Sequence, residues 1–358
     1  MKRVIARYVA MFRLLWLTKS IKGEFAILEV RIENGLQRVL LPLNEDTAAT
    51  GIQSLFWNSR RGHALVEPAE IVGLTRWFEV VENYGLEIKP SPNAWLSGWL
   101  GDRPEHFGIS NYETVTLANA TRAWMAQEDS SKWVIHVHGR KAAMGETLRN
   151  FKVFLELGYS QLTISHETDP EPFGLGSHQS YLGLTEWKQI EAAVDYAKKQ
   201  GAKDIVLFGW SLGGMFIGQY LRKTNEPGIR AAIFDSPMFD IRNTLRVQAQ
   251  MSGYSTQFAD EVCELIRNSK LLKFLGYPAI DVDSLSLSKN TLESDLPMLV
   301  MYSSNDGYIS WEDSPKFCEL NSSAIAIQFS GARHCRLKNS NPDRYEQVIR
   351  DFISKLEI

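Results

Sequence analysis

The sequence predicts an α/β protein in which a mostly parallel sheet is flanked by helices. Three observations predict it. The run from Asp204 to Trp210 is aliphatic and aromatic with no charge after Asp204, as a strand buried on both faces requires, and Met215, Phe216, Ile217, Tyr220 and Leu221 then recur at helical spacing. Upstream, strand-like and helix-like segments alternate: a strand at 132–138, a helix at 146–157, a strand at 161–165 and a helix at 185–200. Downstream, further strand-like runs follow at 230–236, 297–302 and 324–329.

Each element then acquires a place. Ser211 sits on the turn between the 204–210 strand and its helix, inside Gly209-Trp210-Ser211-Leu212-Gly213, which fits Gly-x-Ser-x-Gly. A serine on so sharp a turn needs small neighbours, and the helix that starts there offers free N–H groups and its positive dipole end to a developing oxyanion. A glycine-rich turn is also the form of a phosphate cradle, but no Gly-Lys-Ser/Thr follows and Gly-x-Gly-x-x-Gly is absent. Read with the flanking strands, the motif resembles the α/β-hydrolase superfamily, and within it the serine esterases and the prolyl-oligopeptidase-like or serine-aminopeptidase-like branch. The resemblance runs from about Tyr112 to the C-terminus and leaves the first third of the chain without a family match.

The resemblance implies an acyl-transfer site with a serine, an acid and a histidine in that chain order. His334 is the only histidine after Ser211 and directly follows the 324–329 strand, so it is the expected base. Asp306, in Ser303-Ser304-Asn305-Asp306-Gly307 after the 297–302 strand, is the expected acid, with Asp235 as its rival and Asp283 too far from a strand end. Two backbone N–H groups would hold the oxyanion, that of Leu212 and, by resemblance, that of Arg140 in His138-Gly139-Arg140. Arg140 stands where many such hydrolases carry a small or apolar residue, so its guanidinium is expected to reach the pocket and favour anionic substrates. No cofactor is implied. The spacing His136-x-His138 raises a metal reading, but Gly-Arg-Lys follows where a metallohydrolase pattern continues Asp-His, so no metal is expected.

Composition narrows the partners. In 358 residues, 39 basic against 42 acidic side chains give a net charge of −3, which offers nucleic acid no footprint. Cys263, Cys318 and Cys335 form no Cys-x-x-Cys pair and suit a reducing, cytoplasmic compartment. The expected substrate is a small ester or, next, a short peptide; a catalytically silent binding protein on the same fold is the rival of a different class. Oligomeric state is not legible.

The division is expected as 1–110, a small β-containing domain and linker, and 111–358, the catalytic domain. Within the first, Arg7 and Arg13 interrupt an apolar stretch at 1–17, which reads as a helix packed on its own protein rather than an export signal or a membrane-surface helix. Strands at 25–32 and 39–43 flank Glu33-Asn34-Gly35, a hairpin signal, and residues 91–107, with prolines, glycines and tryptophans, read as the linker. His63 reads as a ligand-binding residue near the domain interface or, more plainly, a turn histidine. Residues 113–117 and 122–126 read as antiparallel edge strands. His166 and Asp169 begin a loop leaving a strand's carboxyl end, either against the pocket or, more plainly, in solvent. Residues 241–284, helical and inserted between two strands, read as a cap or as a peripheral helix pair.

Overall fold

The computed structural model describes residues 2–16, 24–128, 130–169, 172–292 and 294–356; Leu17 of the expected N-terminal helix and Pro170 of the expected loop lie outside them. Seven antiparallel strands come first: β1 (Phe25–Ile27), β2 (Glu29–Glu33), β3 (Leu36–Pro42), β4 (Gln53–Trp57), β5 (Gly62–Val72), β6 (Thr75–Asn83) and β7 (Ser91–Ser97). Their order is β1-β7-β4-β5-β6-β3-β2. β1 and β2 are one extended run interrupted only at Leu28, which pairs with β7 at one end and with β3 at the other, so the sheet closes on itself as a small barrel. Closure removes the free edges through which an open sheet aggregates. Val39, Leu41, Leu55, Val66, Phe78 and Leu96 fill its interior. The hairpin turn falls where expected, with Asn34 at φ +53 and Gly35 at φ +81, the left-handed pair that a two-residue turn between β2 and β3 requires.

The barrel corrects the expected linker. Ser91–Ser97 is β7, paired on both sides, and residues 98–112 lead from the barrel to β8. Pro90 and Pro92 stand at the start of that strand, where a missing N–H is tolerated, and the buried Ala94, Trp95 and Leu96 follow.

The second sheet holds β8 (Glu113–Thr116), β9 (Arg122–Ala126), β10 (Lys132–Val137), β11 (Ser160–Ile164), β12 (Asp204–Trp210), β13 (Ile229–Asp235), β14 (Met298–Ser303) and β15 (Ala324–Phe329). The order is β15-β14-β13-β12-β10-β11-β9-β8, with β10 to β15 parallel and the antiparallel pair β8, β9 at one edge as expected. Alternation along β12 sends Ile205 and Leu207 into the larger core and Val206, Phe208 and Trp210 into the core on the opposite face. The helices are α2 (Phe151–Glu156), α3 (Trp187–Lys199), α4 (Leu212–Lys223), α5 (Ile241–Met251), α6 (Thr256–Asn268), α7 (Lys270–Phe274), α8 (Val282–Leu285), α9 (Asp313–Leu320), α10 (Leu337–Ser340) and α11 (Pro342–Ile353). The helix expected at 146–157 is shorter than its pattern, because two short helical turns, Met144–Glu146 and Leu148–Asn150, precede α2.

The helix preceding them all, α1 (Lys2–Leu15), does not belong to the barrel. Met11 and Leu15 are buried in the larger core of the second body, and α1 lies along α6. That departs from the expected 1–110 unit, since the chain starts in the second body, leaves to form the barrel and returns. No helix among the described residues is long and apolar enough to cross a membrane. The order in which strands are added reverses between β10 and β12, because β10 leads to β11 on one side while β12 leads to β13 on the other. The carboxyl ends of strands at such a reversal leave a crevice.

Candidate active site

Ser211 is the single residue between β12 and α4, with φ +49 and ψ −118, a conformation L-residues rarely adopt. Its neighbours make the turn sterically feasible. A Cβ on Gly213 would stand 2.3 Å from the carbonyl oxygen of Val137, and one on Gly209 would stand 2.8 Å from the nitrogen of Gly214. The Ser211 carbonyl accepts the N–H groups of Gly214 and Met238, both at 3.0 Å, so the turn is held from two directions.

The loop after β15 delivers His334 to this serine. Nε2 of His334 lies 2.9 Å from Ser211 Oγ, and Nδ1 lies 2.7 Å from Asp306 Oδ2. Asp306, 1% exposed, is fixed by its other oxygen, which accepts the N–H groups of Tyr308 at 3.0 Å and Ile309 at 2.9 Å. A carboxylate with that environment accepts a hydrogen bond from Nδ1–H, which leaves the Nε2 lone pair for the serine hydroxyl. Burial pushes the His334 pKa down, but the charge and hydrogen bond of Asp306 more than offset it, and the value stands above the ordinary 6.5. The Tyr308 ring stacks on the imidazole at 5.1 Å.

Asp235, the rival acid, is engaged elsewhere. Its Oδ2 accepts from Trp210 Nε1 at 3.0 Å and Tyr345 Oη at 2.7 Å, and its Oδ1 accepts from Ser236 Oγ at 2.9 Å. Burial raises its pKa despite Arg149 nearby. It braces the floor under Ser211 and makes no hydrogen bond to His334.

The loop after β10 brings Gly139 so close to Ser211 that an added Cβ would lie 3.1 Å from the serine Cβ. The Gly139 N–H donates to Glu146 Oε2 at 2.8 Å. The next N–H, that of Arg140, and that of Leu212 enter no turn or loop hydrogen bond among the described residues. Both residues line a gap of 30 Å³ beside Ser211. The Arg140 side chain, by contrast, does not offer itself to substrate as expected: its Nη2 donates to the carbonyls of Arg13 at 2.8 Å and Leu14 at 2.7 Å. It caps the C-terminal end of α1, where unpaired carbonyls collect.

The His136 and His138 rings go separate ways. His136 Nε2 bonds Gln161 Oε1 at 3.0 Å, and burial pulls its pKa to about 4. His138 Nε2 lies 2.9 Å from Asp169 Oδ2 and Nδ1 lies 2.8 Å from the Gly139 carbonyl. His166 Nε2 meets the His138 carbonyl at 2.9 Å. The loop read as solvated is thus buried at His166 and Asp169, and it fixes the Gly139 turn from behind.

No family model and no curated protein matches the sequence. Solved structures do. Esterase Pf2001 of Pyrococcus furiosus superposes with a TM-score of 0.54 at 17% identity, covering 71% of this chain and 96% of its own. The α/β hydrolase GrgF of Penicillium covers 68% and 97% at TM-score 0.51 and 16% identity. The mouse α/β hydrolase domain-containing protein 10 covers 69% and 99% at TM-score 0.50 and 14% identity. The fold is that of the α/β-hydrolases.

On this α/β-hydrolase scaffold the barrel forms a wall of the site. A cavity of 400 Å³ over Ser211 and His334 is lined by Phe56, Trp95 and Trp99 of the barrel and its exit, together with Arg60 and Glu146. A second cleft of 510 Å³ lies between α1 and the α5–α6 pair, lined by Val9, Leu245, Phe258 and Val262 among others. Leu14, Arg140, Leu245 and Gln248 line both that cleft and the small gap at Ser211. Sequence reasoning missed Glu146, assigned there only to a helix, as well as Tyr308 and the aromatic wall; their sole signal is the density of tryptophan at 95–99.

Proposed function

We propose that this protein is a serine hydrolase that cleaves carboxylic esters through an acyl-enzyme. The observation that carries the reading is the unbroken chain Asp306–His334–Ser211, with separations of 2.7 and 2.9 Å. Ser211 Oγ attacks the ester carbonyl as His334 Nε2 takes its proton, and Asp306 stabilises the imidazolium. The carbonyl oxygen becomes an oxyanion that the N–H groups of Leu212 and Arg140 receive. Collapse breaks the bond to the alkoxide, which takes the proton back from His334 and leaves; water then repeats the sequence on the acyl-enzyme, releasing the acid and restoring Ser211.

The apolar cleft under α1, joined to the Ser211 gap by shared lining residues, supports an apolar acyl group on the substrate. Amide cleavage is the second reading; Glu24 on the cavity wall would receive a peptide's amino group, whereas Asp46 and Glu146 already pair with Arg336 and the Gly139 N–H. Three unpaired thiols support a cytoplasmic setting. The deciding experiment is labelling with a fluorophosphonate, followed by mass spectrometry, on the natural chain and on Ser211→Ala. We expect one phosphonyl group, on Ser211, absent from the variant, and ester turnover that rises with acyl length. A chain that stays unlabelled would be the catalytically silent binding protein, and faster turnover of aminoacyl amides than of esters would favour the peptidase.

A further inference from the structure

His63, on β5, is 3% exposed, and its two ring nitrogens have unequal surroundings. Nε2 lies 2.9 Å from Ser54 Oγ, and that hydroxyl donates to the Trp99 carbonyl at 2.6 Å. A serine hydroxyl has a single proton. Since the carbonyl receives it, Oγ must accept from His63, so Nε2 carries the ring hydrogen and Nδ1 presents a bare lone pair. That lone pair faces Asp102 Oδ1 at 3.6 Å. His106, on the short helical turn Pro104–Phe107, places its Nδ1 3.0 Å from the same oxygen. His106 Nδ1 accepts the Asp102 N–H at 3.3 Å, so it too carries no hydrogen, and a metal ion would take its lone pair in place of that long hydrogen bond.

Three electron-rich atoms therefore converge within 4.8 Å of one another. His63 Nδ1 and Asp102 Oδ1 are buried, and neither has a hydrogen-bond partner among the described residues. Acceptors packed against acceptors repel unless a proton on one imidazole or a metal ion lies between them. Arg103 Nε approaches Asp102 Oδ1 at 3.5 Å, but from a side chain 62% exposed, outside the two imidazoles.

We propose that His63 Nδ1, Asp102 Oδ1 and His106 Nδ1 bind a divalent first-row metal ion such as Zn²⁺. Two imidazoles and a carboxylate are the donor set such ions select, with the remaining position open to water from the partly exposed side. The Ser54 hydroxyl and Trp99 carbonyl behind His63 supply the outer hydrogen bonds that fix a ligating ring in its tautomer. The ion is a brace and takes no part in the chemistry at Ser211. The Phe56 ring stacks on His63 at 4.4 Å and is itself part of the wall over Ser211. Asp102 packs against Gly145, where an added Cβ would stand 2.7 Å from the Asp102 Cα, next to Glu146. One ion at this point ties the barrel, the 98–107 segment and the Glu146 turn together.

The test titrates the full chain, stripped with a chelator, with Co²⁺ for its visible absorption and with Zn²⁺ while following the melting temperature. We expect one equivalent of Co²⁺ bound with nitrogen and oxygen ligand bands, and a melting temperature raised by Zn²⁺. Asp102→Asn and His106→Gln should each lose the bands, and Ser54→Ala, which removes no ligand, should weaken binding by about tenfold or more. Arg103→Ala removes the competing cation and should tighten binding, a result that does not depend on the ligand variants folding. Stoichiometry and spectra identical in the natural chain, Asp102→Asn and His106→Gln, or binding weakened by Arg103→Ala, would overturn the proposal.

Discussion

A serine hydroxyl at neutral pH is a poor nucleophile, so the consequence of the Asp306 contact rests on which atom of His334 bears hydrogen. Asp306→Asn keeps the size of the side chain but offers an N–H₂ where a carboxylate oxygen stood, and the imidazole then turns its lone pair to the wrong side. Turnover should fall by about four orders of magnitude. Asp235→Asn disturbs instead the bonds from Trp210 and Tyr345, so it should lower the melting temperature while the folded fraction keeps turnover within about tenfold. Steady-state kinetics beside thermal melts of both variants check the pair. The pH dependence has a definite sign. As the proposed base His334 would act only when neutral, and its pKa stands above 6.5, so kcat/KM should rise with pH through an inflection above 6.5. An inflection below that value, with chemistry limiting, would count against Asp306 as the partner. That Ser211, Asp306 and His334 would come together was legible because each follows a strand of one sheet in a fixed order along the chain. The remote partners of Asp235 were not: Tyr345 lies 110 residues away, and nothing in a strand's pattern foretells it.

Elements extend what single residues do. The β10 loop holds Gly139 through His138, and His138 through Asp169. Burial lowers the His138 pKa and the charge of Asp169 more than restores it, leaving it raised; the same pairing holds Asp169 below its ordinary value against burial. A raised histidine contributes stability that is full below the unfolded value of 6.5 and fades as pH rises through the folded value; a depressed aspartate contributes above 3.8 and fades as pH falls. The pair should therefore stabilise most between those two unfolded values. Asp169→Asn should cost roughly 3 kcal/mol there and less at higher pH, as denaturant melts at several pH values would read. Arg140 joins this loop to α1. Arg140→Met should accordingly slow neutral and anionic esters alike and speed hydrogen exchange in the last turn of α1; a selective loss on anionic esters would restore the substrate role. The strand-turn-helix at Ser211 and the Asn34-Gly35 hairpin could be read because their signals are local. β7 could not, since Pro90 and Pro92 advertise a break just before its buried residues.

Over the whole molecule, the barrel is joined to the loop that carries His334. Arg336 donates to the carbonyls of Asp46 at 3.2 Å and Leu96 at 3.1 Å, partners 290 and 240 residues distant. Asn339 Nδ2 donates to the Ile52 carbonyl at 2.6 Å, and Arg149 bridges the carbonyls of Gly98 at 3.1 Å and Cys335 at 2.6 Å. The backbones meet so closely that a Cβ on Gly98 would stand 2.4 Å from the Cys335 carbonyl oxygen. No periodicity records contacts at such separations, which is why the sequence left the first third of the chain without a role. The arrangement makes the barrel both a wall of the cavity and a clamp on the His334 loop, and the two tasks separate by experiment. Trp95→Ala enlarges the cavity without touching the His334 loop, so it should raise KM with kcat little changed. Arg336→Ala removes a buried tether to two barrel carbonyls and to the Asp46 carboxylate. His334 then samples positions out of reach of Ser211, and kcat should fall between about tenfold and a hundredfold with KM for a short ester unchanged, since a displacement of about 1 Å costs that much in an oriented reaction. Fluorophosphonate labelling should slow in parallel with kcat, because it uses the same proton transfer. If Arg336→Ala instead raises KM and labels at the normal rate, the barrel shapes the cavity and the His334 loop stands without it.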